Sequence, residues 1–142
     1  MINEEAVGKI LLIDNQMNEL TRVQVFLEEL GEQWELSMPL IFSLNLVLEE
    51  ALTNIILYGY DDDQQHTITI IVNLAGNDLS ITTIDDGHQY DPTLKKDPDI
   101  TLSAEDRPIG GLGIFLIKKL MDKVEYQRKD HKNYLFISKN IV

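Results

Sequence analysis

The chain has 142 residues, 44% hydrophobic and 25% charged, which suits one folded domain and excludes a disordered segment. Twelve Lys and Arg against 24 Asp and Glu give a formal net charge of −12, so neither nucleic acid nor an anionic membrane is an expected partner. The absence of cysteine excludes a disulfide framework, a thiol nucleophile and a zinc–thiolate site.

The opening stretch "MINEEAVGKILLID" is acidic and has no apolar core behind a basic region, so no signal peptide is expected. No apolar run approaches ~18 residues, so no membrane span is expected, and a cytoplasmic location fits. Within the opening, "KILLID" (9–14) reads as a strand. Residues 18–30 carry Leu20, Val23, Phe26, Leu27 and Leu30 at helical spacing, with Gly31 as a stop signal. Ser37 suits an N-cap and Pro39 a first turn, opening a long helix from Met38 to Tyr58 that Gly59 ends. "HTITIIVNLAGNDLSITTIDDG" follows as two alternating runs around a turn at residues 75–78. Residues 91–110, with three prolines and many charges, read as a long loop containing one short helical turn. "GLGIFLIKKLMDK" starts at glycines and becomes an amphipathic helix. A second hairpin around 129–132 finishes the chain. Strands paired by tight turns, with helices between the pairs, predict an α+β two-layer sandwich: a mostly antiparallel, mixed sheet with about three helices on one face.

Three stretches carry chemistry. In "EEALTNIILYGY" (49–60), Glu50 and Asn54 lie four residues apart, about 40° in azimuth, so both project from one helix face; Glu49 points roughly 100° away. A buried polar pair must be hydrogen-bonded, solvated in a cleft or attached to an ion. An Asn carbonyl is a neutral oxygen ligand suited to Mg²⁺, and a nearby Glu can accept a proton. The plainer alternative is a groove-capping Glu50 and an Asn54 bonded to neighbouring backbone. In "TIDDGHQYDP" (83–92), a strand-end Asp85 before Gly87 can present a carboxylate that reads an exocyclic amine; an ordinary Asp-Gly turn is the alternative. In "RPIGGLGIFLIKKL" (107–120), Gly110, Gly111 and Gly113 precede a helix whose free N–H groups suit an anion, or form a hinge. Arg107 can pair with a phosphate or with Asp106 or Glu105. The order of the three describes three sides of one nucleotide pocket.

At these residues the chain resembles the GHKL, or histidine-kinase-like, ATPase superfamily, with "EEALTNIILYGY" similar to its asparagine box and "DDG" and "GGLG" similar to its glycine boxes. The closer resemblance is to anti-sigma-factor serine/threonine kinases of bacterial partner-switching systems, carried by Glu50-Ala51-Leu52-Thr53-Asn54 and by "DDGHQYDP" with "RPIGGLGIFLIKKLMDKVEY". The resemblance implies a GHKL ATPase fold over residues 1–142 as a single domain, with ATP and Mg²⁺ as cofactors. It implies Asn54 as the Mg²⁺ ligand, Glu50 as general base and Asp85 on the adenine amino group, with Gly87 shaping that wall. Gly110, Gly111 and Gly113 would meet the phosphates, and residues 93–109 would form a lid. Arg22 resembles a first-helix arginine that contacts the protein substrate. The implied function is a kinase that phosphorylates a small antagonist protein and sequesters a sigma factor or similar regulator, acting on transcription. A homodimer through the sheet and first helix is implied as well, with "KILLID" and Phe26 and Leu27 as contributors, or alternatively as core. A nucleotide-sensing binding module without kinase activity and a GHKL ATPase without a protein acceptor are the alternative functions.

The chain departs from the family pattern in two places. Gln89 stands where the first glycine box has its second glycine, and "KNYLF" replaces a late Gly-Thr pair. Histidines 66, 88 and 131 are expected to be ordinary surface residues.

Overall fold

The structure, a computed structural model, describes residues 6–94 and 111–141. Five strands form one sheet: β1 (Ala6–Asp14), β2 (Thr67–Ala75), β3 (Asp78–Asp85), β4 (Lys123–Lys129) and β5 (Lys132–Asn140). Their spatial order is β1-β2-β3-β5-β4, and every pairing among the described residues is antiparallel. Three helices, α1 (Leu20–Gln33), α2 (Met38–Tyr58) and α3 (Gly111–Leu120), complete the expected α+β sandwich, with α2 packed against both of the others.

The strands alternate, and their inner positions build the core. Ile68, Ile70 and Val72 of β2, Leu79 and Ile81 of β3, and Leu135 and Ile137 of β5 are buried. Toward one end of the sheet the same inner series turns polar: Thr83, Asp85 and Asn133 are buried where the pattern calls for aliphatic side chains. Opposing α2 residues Leu48 and Leu52 are fully buried, each burial favouring the fold by ~1.5–3 kcal/mol.

The turns follow from local chemistry. Gly76, at φ 60°, opens the two-residue β2–β3 turn, a conformation that suits glycine. The β4–β5 turn uses Asp130 and His131, both left-handed at φ 52° and 63°, and needs no glycine. Ser37 caps α2 as expected, its hydroxyl accepting from the Leu40 N–H at 3.3 Å, and Gly59 ends it.

Two expectations change. Gly31 does not stop α1, which runs on to Gln33 and ends where Glu35 turns left-handed. Gly31 is instead a contact point: a Cβ there would lie 2.9 Å from Ile41 Cγ1, so glycine lets α1 and α2 approach. The second change concerns α2, which by length and composition is the one helix among the described residues that could cross a membrane. Its apolar character has another use here, because Leu44, Val47, Leu48, Ala51 and Leu52 fill the core.

The residues implied for dimerisation divide. Ile13 and Leu27 are core, whereas Ile10 and Leu12 are 65% and 54% exposed on β1, which pairs with β2 alone.

Candidate active site

A cavity of about 450 Å³ opens at the polar end of the sheet, walled by α2, α3 and the inner faces of β3, β4 and β5. Asn54, Tyr58 and Gly59 line it from α2 and its end, and Ile114 and Ile117 from α3. Thr83, Asp85, Tyr126 and Asn133 line it from the sheet. Its walls are mostly apolar with a few convergent polar groups, the form a site for a planar ring with a polar edge takes.

Asp85 is the last residue of β3 and 5% exposed. The Gly87 N–H and Asn133 Nδ2 both donate to its Oδ1 at 2.9 Å, which leaves Oδ2 as the oxygen available to the cavity. Burial pushes the Asp85 carboxyl above the usual carboxylate range, against the opposing pull of Asn133, the Gly87 N–H and Arg128. Gly87 follows because the chain must turn beside α2. A Cβ there would stand 2.5 Å from the Gly59 carbonyl oxygen. His88 fastens the same turn, its N–H donating to Gly59 O at 2.9 Å and its Nε2 to Tyr58 O at 2.6 Å.

Glu50 and Asn54 share a face of α2 as the spacing predicts, and Glu49 is exposed. Asn54 lines the cavity. Glu50, one turn earlier, meets the start of α3, where a Cβ at Gly113 would lie 2.5 Å from Glu50 Oε2. The glutamate and the glycine-rich turn, 63 positions apart in the chain, are thus in contact beside Asn54. Gly111 begins α3. Arg107, Gly110 and the expected lid beyond Leu94 lie outside the described residues; the 3-10 turn Pro92–Leu94 is the helical turn expected in that loop.

A sequence model of the histidine kinase-like ATPase domain matches residues 13–139. The chain belongs to that family. Its relatives include the serine/threonine-protein kinase BtrW of Bordetella bronchiseptica, 31% identical over 77% of this chain and 75% of that protein. The serine-protein kinase RsbW of Listeria monocytogenes is 31% identical over 63% of this chain, and the matched region is 59% of its length. Within the histidine kinase-like ATPases, the chain therefore stands with protein serine/threonine kinases. The fold agrees with the RsbU and RsbW domains of Rv1364c from Mycobacterium tuberculosis, at TM-score 0.68 and 14% identity over 95% of this chain and 32% of that one. It also agrees with the blue-light activated histidine kinase domain of Erythrobacter litoralis EL346, at TM-score 0.56 and 13% identity over 88% of this chain and 60% of that one.

The residues present fit the nucleotide that this ATPase family implies. Thr83 Oγ1 is buried against the cavity without a hydrogen-bond partner among the described residues, which a base edge or bound water would satisfy. No group of three His, Asp or Glu side chains that could hold a metal occurs among the described residues. That suits Mg²⁺, which takes one or two protein oxygens and completes its shell with waters and phosphates, and Asn54 is the placed oxygen.

Several contributors escaped the motifs. Asn133, inside the "KNYLF" that replaces the family's glycine and threonine, is the direct partner of Asp85. Arg128 and Tyr126 support it. Two histidines are not ordinary surface residues. His88 lines the cavity, and His66 stacks on Tyr60 at 4.2 Å between Asp62 and Asp86, at 2.8 and 3.2 Å. His131 is exposed, as expected. Gln89 is exposed, so the turn at this wall is shaped by Gly87 alone. Arg22 stands 55% exposed on α1, paired with Glu19 at 2.8 Å and away from the cavity lining.

Proposed function

We propose that this chain is an ATP- and Mg²⁺-dependent protein serine/threonine kinase of the anti-sigma type. It transfers the γ-phosphoryl group to a hydroxyl on a small antagonist protein. In the cytoplasm of a bacterium it alternates between that antagonist and a sigma factor or similar regulator, and so acts on transcription. The observation that carries this reading is the meeting of Glu50 with Gly113 beside a cavity that presents Asn54 and Asp85.

The work of each residue follows from its place. Asp85 Oδ2 accepts from the exocyclic amine of adenine, and the apolar walls hold the ring. The start of α3, at Gly111 and Gly113, turns backbone N–H groups to the phosphates. Asn54 offers its amide oxygen to Mg²⁺, which when bound neutralises charge on the transferring phosphoryl group. Glu50 takes the proton of the attacking hydroxyl. Arg22, exposed on α1, is the contact offered to the protein substrate. Ile10 and Leu12 suit a second copy of the chain.

The test is transfer from labelled ATP to a co-encoded antagonist protein. Glu50→Gln should lower transfer by ~10²–10⁴-fold with nucleotide affinity unchanged. Transfer at the wild-type rate would remove Glu50 as the base, and no transfer by the wild type to any antagonist would remove the kinase reading.

A further inference from the structure

Beneath Asp85 the sheet holds a second polar layer. Asn133 faces Asp85 directly in register and is 7% exposed. Its Nδ2 donates to Asp85 Oδ1 at 2.9 Å and to His88 O at 3.0 Å, with Gly87 O at 3.4 Å. Its Oδ1 accepts from the Tyr126 hydroxyl at 2.5 Å and from Arg128 Nη1 at 3.1 Å. The same Arg128 nitrogen donates to Gly87 O at 2.7 Å. An amide turned by half a rotation would set its oxygen against a carboxylate and two carbonyls. Its NH₂ would then face a guanidinium and lose both bonds. Arg128 and Tyr126 thereby decide which way Asn133 points, and Asn133 decides which oxygen of Asp85 is left over.

We propose that Arg128 and Tyr126 are positioning residues for nucleobase recognition. By locking the Asn133 amide they commit Asp85 Oδ1 to the protein and hold Oδ2 as the acceptor for the exocyclic amine of adenine. The proposal rests on the nucleotide-site reading above and adds to it how discrimination between bases arises. A hydrogen-bonding site discriminates through the partner left unpaired when the wrong base enters, and this requires an acceptor that cannot rotate away.

Charge acts in the same direction. The charged or titratable groups acting on Asp85 are Asp86 next to it, Tyr60 beyond α2, and Tyr126 and Arg128 on β4. Arg128 is the one cation among them, and it opposes the effect of burial on the carboxylate. Without it Asp85 protonates at a higher pH, and a protonated Oδ2 can no longer serve as a pure acceptor.

The experiment measures binding of ATP and of inosine triphosphate, whose base carries an oxo group in place of the amine, between about pH 5.5 and 8. Arg128→Met should lose about tenfold in ATP affinity at neutral pH while inosine triphosphate changes little, so the preference for adenine shrinks. The acid limb of its ATP binding should also begin at higher pH than in the wild type. Arg128→Lys, which keeps the charge, should restore the pH limb. Tyr126→Phe removes one donor to Asn133 and should give a smaller loss of the same kind; it carries the test if Arg128→Met does not fold. Equal losses for both nucleotides with an unmoved pH limb would overturn the positioning role. A wild type that does not prefer ATP to inosine triphosphate would instead overturn the adenine-site reading beneath it.

Discussion

Gly113 and Glu50 are packed so closely that a Cβ on the glycine would stand 2.5 Å from the Glu50 carboxylate. The obstacle is the far end of a flexible side chain, so Gly113→Ala costs the fold little. In a helix the added methyl favours it by up to ~1 kcal/mol. The carboxylate must move, however. Phosphoryl transfer should fall at least about tenfold with the melting temperature unchanged or raised, since small displacements of reacting groups cost rate steeply. Transfer and melting both at wild-type values would mean that Glu50 does not need its place beside α3.

Asn54→Ala separates metal from base. Affinity for the Mg²⁺-nucleotide should fall about tenfold, ~1.4 kcal/mol, while affinity for the metal-free nucleotide stays nearly constant. Titration with and without a chelator reads the difference, and equal losses would count against a metal role.

Asp85→Asn should exchange function for stability. The raised carboxyl of Asp85 means that its ionised form is disfavoured in the folded chain relative to the unfolded one. Its contribution is therefore most favourable below the unfolded value, about pH 3.9, and is lost as pH rises through the raised folded value. At neutral pH the neutral amide should raise the melting temperature or leave it unchanged. ATP binding should drop sharply and binding to a 6-oxo purine should gain, because an NH₂ now stands where Oδ2 stood. A destabilised variant with unaltered base preference would contradict both arms.

His66 works in the opposite sense. Asp62 first, then Asp86, raise its pKa above the ordinary histidine value. Its pairing stabilises fully below about pH 6.5 and is lost as pH climbs through the raised folded value. The wild-type melting temperature should decline over that upper window by a component missing in His66→Gln. Parallel melting curves against pH would show that the contact between the 61–63 turn and Asp86 adds nothing.

Ile10→Lys together with Leu12→Lys should leave the core intact, since both side chains point away from it. If the chain pairs through this strand, sedimentation should show a dimer in the wild type and a monomer in the double variant. An unchanged mass would place the contact elsewhere.

The legible part of the sequence was whatever depends on near neighbours. Ser37, Gly59 and Gly76 act through residues a few positions away, and their elements fall where expected. Glu50, Asn54 and Asp85 were legible because their types are out of place on apolar periodic faces. Gly31 misled because a glycine that permits close helix packing looks, locally, like one that ends a helix. The layer under Asp85 was hidden for a related reason. Tyr126 and Arg128 occupy the inner positions of β4, which simple alternation predicts, but "VEYQRKD" is so polar that neither face announces itself as inner. Asn133 stood at a marked departure from the family pattern. A departure reports a difference; it does not say that the new side chain has taken on a carboxylate 48 positions away.

The glycine-free turn at Asp130 and His131 has a reach beyond its two residues. Asn133 comes two positions after His131, and strand faces alternate, so the length of this turn decides whether Asn133 lies inside or outside. One residue added there would carry Asn133, Leu135 and Ile137 to the far face of the sheet; two would return them. Insertions in an exposed tip are ordinarily harmless, but at this one the parity of the count would govern whether the chain can tell one purine from another.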